Sequence, residues 1–283
     1  MTEPEVTENS GQQVDGQNAM GVRRELEQAG FFLNHDTSEW HQSWYCEERL
    51  MALSLAERER ILALKSASET YEKRQAQKRK WEYECRTRRQ RLRYSGCELE
   101  AKEELAITEL SYRDERATSA VRRWVETKER KPLLAISGTI GVGKSFAASL
   151  ALACWSPSVR YFDSSGAWWR QDDPDGSGPV WIKADELCKT FINSFYMERL
   201  QRIRDTEFLV VDDVGSESDE KQMTAALIDL CDARGSRPWI ITTNVKPQLF
   251  NARYNDPRLH SRFEKIAQWE AIKAPDLRKE GVR

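Results

Sequence analysis

Residues 133–145 read LLAISGTIGVGKS, and this stretch decides the fold. The apolar run 133–137 is typical of a buried parallel strand, and the helix-prone FAASLALACW follows Ser145. Between them lies G-x-x-x-x-G-K-S, the phosphate-binding loop (P-loop), in the strand–loop–helix context that this motif requires. The sequence therefore predicts an α/β domain built on a three-layer P-loop parallel sheet.

The loop predicts a site for a nucleoside triphosphate and its Mg²⁺. Its glycines let successive backbone N–H groups and the helix N-terminus face an anion. In such loops the lysine reaches the β and γ phosphates, and the following hydroxyl is a ligand of Mg²⁺. The expected nucleotide-binding residues are Gly138, Thr139, Ile140, Gly141, Val142, Gly143, Lys144 and Ser145, and the last is also an expected metal ligand.

A second apolar run, Phe208–Val211, ends in two acids, Asp212 and Asp213. A carboxylate at the C-terminal end of a strand beside the P-loop is where the metal is held, so Asp212 is the Mg²⁺ candidate. Asp213 is then expected to face the attacking water. The alternative is a buried strand that ends in polar turn residues.

A third run, Trp239–Thr242, is followed by Thr243 and Asn244. An uncharged polar side chain in this place is suited to orienting water against the γ phosphate, which makes Asn244 a third candidate. The alternative is a simple turn. The chain lacks the N-K-x-D motif of guanine-selective proteins and the L-S-G-G-Q of transporter ATPases. Adenine is therefore favoured, and ATP is the expected nucleotide.

The part of the chain before the P-loop has a different texture. Residues 1–20 hold four acids and no base, and this composition predicts a disordered acidic tail. Residues 21–115 are predicted to form a helical, charged region for a partner or DNA. Ser54 and Glu57 have the spacing of a capping box, and the long charged run that follows contains no Gly or Pro before Gly96.

Within that run, residues 73–93 carry ten bases and two acids, with Trp81 and Tyr83 among them. Such a basic strip is suited to neutralising phosphates, and its aromatic rings are suited to stacking on unpaired bases. The alternative is a solvated helix face or a docking surface for an acidic protein. The sequence leaves both interpretations open.

Composition excludes several classes of protein. Of the 283 residues, 32% are charged and 39% are hydrophobic. No run approaches the ~18 uncharged apolar residues of a membrane span. The six cysteines include no C-x-x-C pair, so neither a zinc site nor a disulfide framework is indicated. The acidic start MTEPEVTENS does not have the order of a secretory signal. We expect a soluble cytoplasmic protein with no membrane partner.

Taken together, SAVRRWVETKERKPLLAISGTIGVGKS, DDVGSE, IITTN and SRF resemble the AAA+ ATPases, specifically the DnaC/DnaI helicase loaders and the related IstB transposition helpers. The resemblance covers residues 116–283, the expected AAA+ domain. It implies an ATPase that binds ATP and Mg²⁺, assembles as a homo-oligomer, contacts single-stranded DNA and delivers a hexameric replicative helicase.

The resemblance also implies roles for individual residues. Asn244 corresponds to the sensor 1 residue. Arg262 corresponds to the arginine finger, which acts in trans on the neighbouring subunit's nucleotide, and Arg258 supports the same interface. Arg278 resembles the sensor 2 position beside the nucleotide. An arginine supplied from outside neutralises charge that develops on the transferred phosphoryl group, so the rate depends on assembly.

Two features depart from the family pattern. Asp213 stands where AAA+ enzymes more often carry Glu, and its shorter side chain predicts slow hydrolysis. Residues 163–179 form an acidic stretch with two tryptophans, expected to be a hairpin tip, that matches no family role. Two alternative functions stay open: an IstB-like helper that binds duplex DNA and a transposase, and a nucleotide-gated scaffold with little hydrolysis.

Overall fold

The computed structural model describes residues 19–34, 37–43, 46–111, 116–127, 129–155, 178–274 and 276. The expected tail over residues 1–20 lies almost wholly outside these residues, as do Arg278 and the stretch 163–177. Among the described residues, no helix is both long enough and apolar enough to cross a bilayer. The chain divides into two compact units, residues 1–84 and 85–283.

The first unit contains two short helices, a hairpin and most of a long helix. Its core consists of seven buried side chains, which include Leu26, Phe31 and Trp40. The Trp40 indole N–H donates to Ser68 Oγ at 3.0 Å, which ties the hairpin to the long helix. The elements are α1 (Ala19–Gln28), β1 (Phe31–Asn34), β2 (Glu39–Gln42), α2 (Cys46–Met51) and α3 (Leu55–Ser95), the last of which continues into the second unit.

The second unit is a parallel five-stranded sheet with helices on both faces, so the predicted α/β fold is confirmed. The strands lie in the order β4-β5-β6-β3-β7. They are β3 (Leu133–Gly138), β4 (Val180–Lys183), β5 (Leu209–Val214), β6 (Trp239–Thr243) and β7 (Ala267–Ile272). The helices are α4 (Ala101–Glu109), α5 (Arg116–Glu126), α6 (Lys144–Cys154), α7 (Ala184–Ile192), α8 (Met197–Asp205), α9 (Glu220–Arg234), α10 (Pro247–Arg253) and α11 (Pro257–Ile266).

Successive apolar side chains along a strand lie on opposite faces of the sheet, so each strand contributes to the core on both faces. Leu133 and Ala135 belong to one core cluster, with residues of α7, α9 and α11. Leu134 and Ile136 belong to the other, with residues of α5 and α6. A parallel sheet covered on both faces needs such continuous apolar strands. Because parallel strands end at the same edge, the residues after β3, β5 and β6 are brought together there.

The basic strip of the sequence is not one surface. Arg88 and Arg91 are buried, at 8% and 7% exposure. Arg88 Nε donates to the Thr108 carbonyl at 2.6 Å, and Arg91 Nη1 donates to the Ala153 carbonyl at 2.9 Å. These two arginines therefore cross-link helices of the second unit, and neither belongs to an exposed basic surface of either kind that the sequence left open. Residues 85–111, which the sequence assigned to the N-terminal region, belong to this second unit.

Candidate functional site

The P-loop lies between the end of β3 and the start of α6. Gly141 and Gly143 have φ of 85° and 83°, in a region of backbone conformation that residues other than glycine rarely adopt. A Cβ at Gly141 would clash with the carboxylate of Asp276. A Cβ at Gly138 would lie 2.7 Å from the Ile272 carbonyl, at the end of β7. Backbone conformation thus favours glycine at positions 141 and 143, and close neighbours favour it at 138 and 141.

Lys144 is buried at the mouth of the loop, with 6% exposure. Its ammonium group donates to the carbonyls of Gly138 and Thr139 and to Asn244 Oδ1, each at 2.9 Å. The structure therefore brings together the P-loop lysine and the polar residue after β6. Each of these three acceptors is a neutral oxygen.

Asp212 lies on the other side of the loop and is 6% exposed. Ser145 Oγ and Thr242 Oγ1 both donate to its Oδ1, at 2.9 and 2.5 Å. Burial is the main cause that raises the pKa of Asp212; the charge of Asp213 adds to it, and the two hydroxyl donors and Lys144 oppose it. The pair Ser145 and Asp212 offers a hydroxyl and a carboxylate oxygen side by side, the hard-oxygen ligand set that Mg²⁺ prefers.

Asp213 occupies an irregular position at the end of β5. Its φ is 58°, and the β5–β6 register shifts between Val211 and Val214. The Asp213 N–H donates to Thr242 Oγ1 at 3.0 Å. Asp213 itself is half-buried, next to the almost fully buried Asp212. The two adjacent acids thus have different environments, one in the wall of the site and one facing the solvent side.

Thr242 is a site residue that sequence reasoning missed. Its hydroxyl contacts both acids, by donating to Asp212 and by accepting the Asp213 N–H. The signal in the sequence was the polar pair Thr242-Thr243 at the end of an otherwise apolar strand. Because β6 lies between β3 and β5, a residue at its end lies next to both the P-loop strand and the acidic strand.

Arg262 and Arg258 lie on α11 and do not contact the P-loop. Arg262 pairs with both carboxylate oxygens of Asp232 on α9, at 2.6 and 2.8 Å, and this partner raises its pKa. Arg258 pairs with Asp256, and its side chain is 72% exposed. Both guanidinium groups instead form ion pairs with aspartates, one on α9 and one just before α11.

Comparisons with known proteins find similar structures but no similar sequences. No protein-family model and no curated protein matches the chain. Domain III of the Thermotoga maritima replication initiation protein DnaA is similar at 19% identity and a TM-score of 0.40, over 56% of this chain and 62% of that structure. The chain therefore spans less than two thirds of the DnaA structure.

Two further similar structures are the DnaC helicase loader and DnaI. DnaC aligns at 17% identity and a TM-score of 0.41, over 58% of this chain and 94% of that one. DnaI aligns at 19% identity and a TM-score of 0.40, over 58% of this chain and 85% of that one. DnaC and DnaI, two of the proteins that the motifs resemble, are thus among the similar structures.

Proposed function

We propose that this protein is a Mg²⁺-dependent ATPase that works as an oligomer. The observation that carries the proposal is the convergence of Lys144, Ser145, Asp212, Asp213 and Asn244 at one edge of the sheet. A glycine-rich turn alone is a common feature of loops. A loop lysine within 2.9 Å of a polar residue from the adjacent strand, together with a loop serine on a buried carboxylate, is the arrangement that phosphoryl transfer needs.

Each side chain has a distinct task in this proposal. Lys144 exchanges its carbonyl and Asn244 partners for the β and γ phosphates. Ser145 and Asp212 hold the metal ion, which when bound supplies neutralisation of charge on the phosphates. Asp213 accepts a proton from the attacking water, and Asn244, released from Lys144, orients that water. Adjacent acids in different environments are suited to separate tasks of this kind.

A single-turnover hydrolysis assay tests the enzymatic part of this proposal. Wild-type protein in excess over radiolabelled ATP and Mg²⁺ is expected to release phosphate. Lys144→Ala is expected to lose the reaction, because the phosphates of ATP then lack a direct positive partner. Wild-type turnover no faster than that of Lys144→Ala would leave the nucleotide-gated scaffold as the better description.

Within this proposal the protein is a helicase loader. It forms a homo-oligomer in which Arg262 acts in trans, contacts single-stranded DNA and delivers a hexameric helicase. The DNA part is supported by a patch around α7 and α8 of exposed apolar side chains, Ile192, Phe195, Tyr196 and Met197, of which Phe195 is 87% exposed. Lys189 and Arg199 line one pocket with Tyr196; each is paired with an acid of α7, Asp185 and Glu186, which a phosphate would have to displace. Aromatic rings beside basic groups are suited to unpaired bases and their phosphates.

Binding to labelled single-stranded and duplex DNA of one sequence separates the loader from its alternative. The aromatic patch predicts tighter binding to the single strand, and Phe195→Ala is expected to weaken it by about 1–3 kcal/mol, the range for one stacked base. Preference for the duplex would instead favour the IstB-like helper with a transposase partner. Recovery of a hexameric helicase by protein locked with a non-hydrolysable ATP analogue would then identify the loader's cargo.

The exposed part of the basic strip on α3 gives a separate prediction. Arg79 and Lys80 are exposed and adjoin Trp81, which is 47% exposed. If they neutralise phosphates, changing both to Gln lowers the slope of log K against log salt by about 1.4 on single strands, or ~0.7 for each contact. The matched control changes Lys102 and Lys265, two exposed lysines elsewhere, and keeps the wild-type slope. An unchanged slope in the first variant would assign this strip to solvent or to a protein partner.

A further inference from the structure

Glu217 is a buried carboxylate that the phosphate site does not use. Its side chain is fully buried, four residues after Asp213. Glu217 Oε2 accepts the Gly215 N–H at 2.7 Å, and Oε1 accepts the Tyr254 hydroxyl at 2.6 Å. Arg253 Nη2 also donates to Oε1, at 3.3 Å. A buried carboxyl group needs such donors, so Glu217 joins the two chain segments that supply them.

The first of these segments is the turn that carries Asp213. The Asp213 carbonyl accepts from the Ser216 N–H at 3.0 Å and from Ser216 Oγ at 2.7 Å. Gly215 has φ of 104°, and a Cβ there would lie 2.6 Å from Val245 Cγ2. The bond from Gly215 to Glu217 therefore holds a tight turn whose other end is Asp213.

The second segment is the junction of α10 and α11. Tyr254 follows α10 directly, and its carbonyl accepts the Asp256 N–H and the His260 Nε2–H, each at 2.8 Å. Asp256 caps α11 by accepting the Arg258 N–H at 2.8 Å. His260 lies on α11 between Arg258 and Arg262. The position of Tyr254 therefore fixes the start of the helix that carries both arginines.

We propose that Glu217 is a positioning residue that ties the Asp213 turn to α11 and so sets where Arg262 is presented to the neighbouring subunit. This inference rests on the proposed function, because it requires Arg262 to act in trans. Burial, and then Glu217 itself, raises the pKa of Tyr254 far above its usual range, so its hydroxyl stays a proton donor. The same link then carries the state of the ATP site in one subunit to the arginine that serves the next.

The test separates two roles of a subunit in mixed oligomers. A recipient carries Arg262→Ala and hydrolyses only with an arginine from its neighbour. A donor carries Asp212→Ala and supplies the arginine but cannot hydrolyse. Adding Tyr254→Phe to the donor removes the hydrogen bond from Tyr254 to Glu217, and with it the link to α11. The hydrogen bond from Gly215 to Glu217 stays in place. We expect recovered kcat to fall about tenfold with this donor, which corresponds to about 1.4 kcal/mol of transition-state stabilisation, with KM for ATP unchanged.

Adding Tyr254→Phe to the recipient is expected to leave its recovered kcat within twofold, since its own Asp213 turn is still held. Glu217→Gln alters both ends, and it is expected to lower recovery in either role. Tyr94→Phe, at an exposed tyrosine on α3, is the matched donor control. Thermal melts of each variant identify a loss of folding, because a purely structural role lowers the melting temperature without separating donor from recipient.

Each outcome tests either the positioning role of Glu217 or the action of Arg262 in trans. If Asp212→Ala donors restore hydrolysis and their Tyr254→Phe forms do not, the positioning role of Glu217 is supported. If both donors restore it equally, this role is overturned while the action of Arg262 in trans stands. If Asp212→Ala donors restore nothing, the action in trans itself fails, and the inference fails with it.

Discussion

Arg262→Ala is expected to leave ATP binding nearly unchanged and to lower the kcat of oligomer-dependent hydrolysis by about 10³ or more. The reason is that Arg262 contacts Asp232 and lies outside its own phosphate site, so its charge is not needed to bind ATP in the same subunit. In the proposed role, a guanidinium from a neighbour acts on the charge that develops on the transferred phosphoryl group, so its loss is expected to appear in kcat. Hydrolysis at increasing protein concentration, with ATP binding measured separately, checks the prediction.

Arg237→Ala is the matched control for this variant. Arg237 also pairs with an aspartate, Asp205, and its side chain is 37% exposed against 33% for Arg262. Because a surface ion pair contributes only ~0–1 kcal/mol, this control is expected to hydrolyse ATP near the wild-type rate. Mixing Arg262→Ala with Asp212→Ala subunits is expected to restore activity that neither has alone. Full activity of Arg262→Ala, or no recovery in mixtures, would remove Arg262 from catalysis.

The centre of the site could be predicted from sequence because its residues are local in sequence or terminate a strand. Residues 138–145 form one continuous motif, and the acids and Asn244 each follow an apolar run. The rule that parallel strands end at one edge of the sheet then brings these residues together. The hydrogen bond between Lys144 and Asn244 spans 100 residues, yet it required only that both follow buried strands.

Residues that act through tertiary contacts left no such signal. Thr242, Glu217 and Tyr254 bond to partners between 2 and 37 residues away, and no fixed spacing marks them. Arg88 and Arg91 illustrate the opposite error, since a run of bases was interpreted as surface although two of them reach carbonyls of other helices. A long arginine side chain can bury its methylene chain while its guanidinium group stays hydrogen-bonded, so charge alone does not predict exposure.

The boundary between the two units shows a related limit. Helix α3 runs from Leu55 to Ser95 without interruption, and the division between the compact units falls within it, after Glu84. The sequence there has no Gly, Pro or change in charge that marks a boundary. What changes is the tertiary environment: Leu92 lies in a core cluster with residues of α6. Composition reports local preference and is silent on such a change.

The second large effect is expected for Asp212→Asn, which should lower Mg²⁺-dependent hydrolysis by at least about 10² and stabilise the nucleotide-free protein by about 0.5–2 kcal/mol. The variant loses the negative charge that we propose holds the metal. Its amide oxygen still accepts from Ser145 and Thr242, which both donate to the single atom Oδ1 in the wild type. Burial disfavours the ionised carboxylate, so a neutral group of the same shape is better tolerated there.

The pH dependence of this gain follows from the raised pKa of Asp212. The folded wild type binds the proton more tightly than the unfolded chain, so this group's contribution to stability falls as pH rises from about 3.9 through the folded pKa. The Asp212→Asn variant does not lose stability in this way. The difference between its free energy of unfolding and that of the wild type therefore grows over the same pH interval and is constant above it. Urea unfolding of both proteins without nucleotide, at several pH values up to 7.5, measures it.

Asp213→Asn is the matched control, because that side chain is half-buried and asparagine readily adopts its φ of 58°. It is expected to slow hydrolysis with little change in the free energy of unfolding. An Asp212→Asn protein less stable than the wild type at pH 7.5 would mean that Lys144 stabilises the ionised carboxylate by more than burial opposes it. The metal site would then be held together by its own charges, and burial would not oppose its assembly before ATP binds.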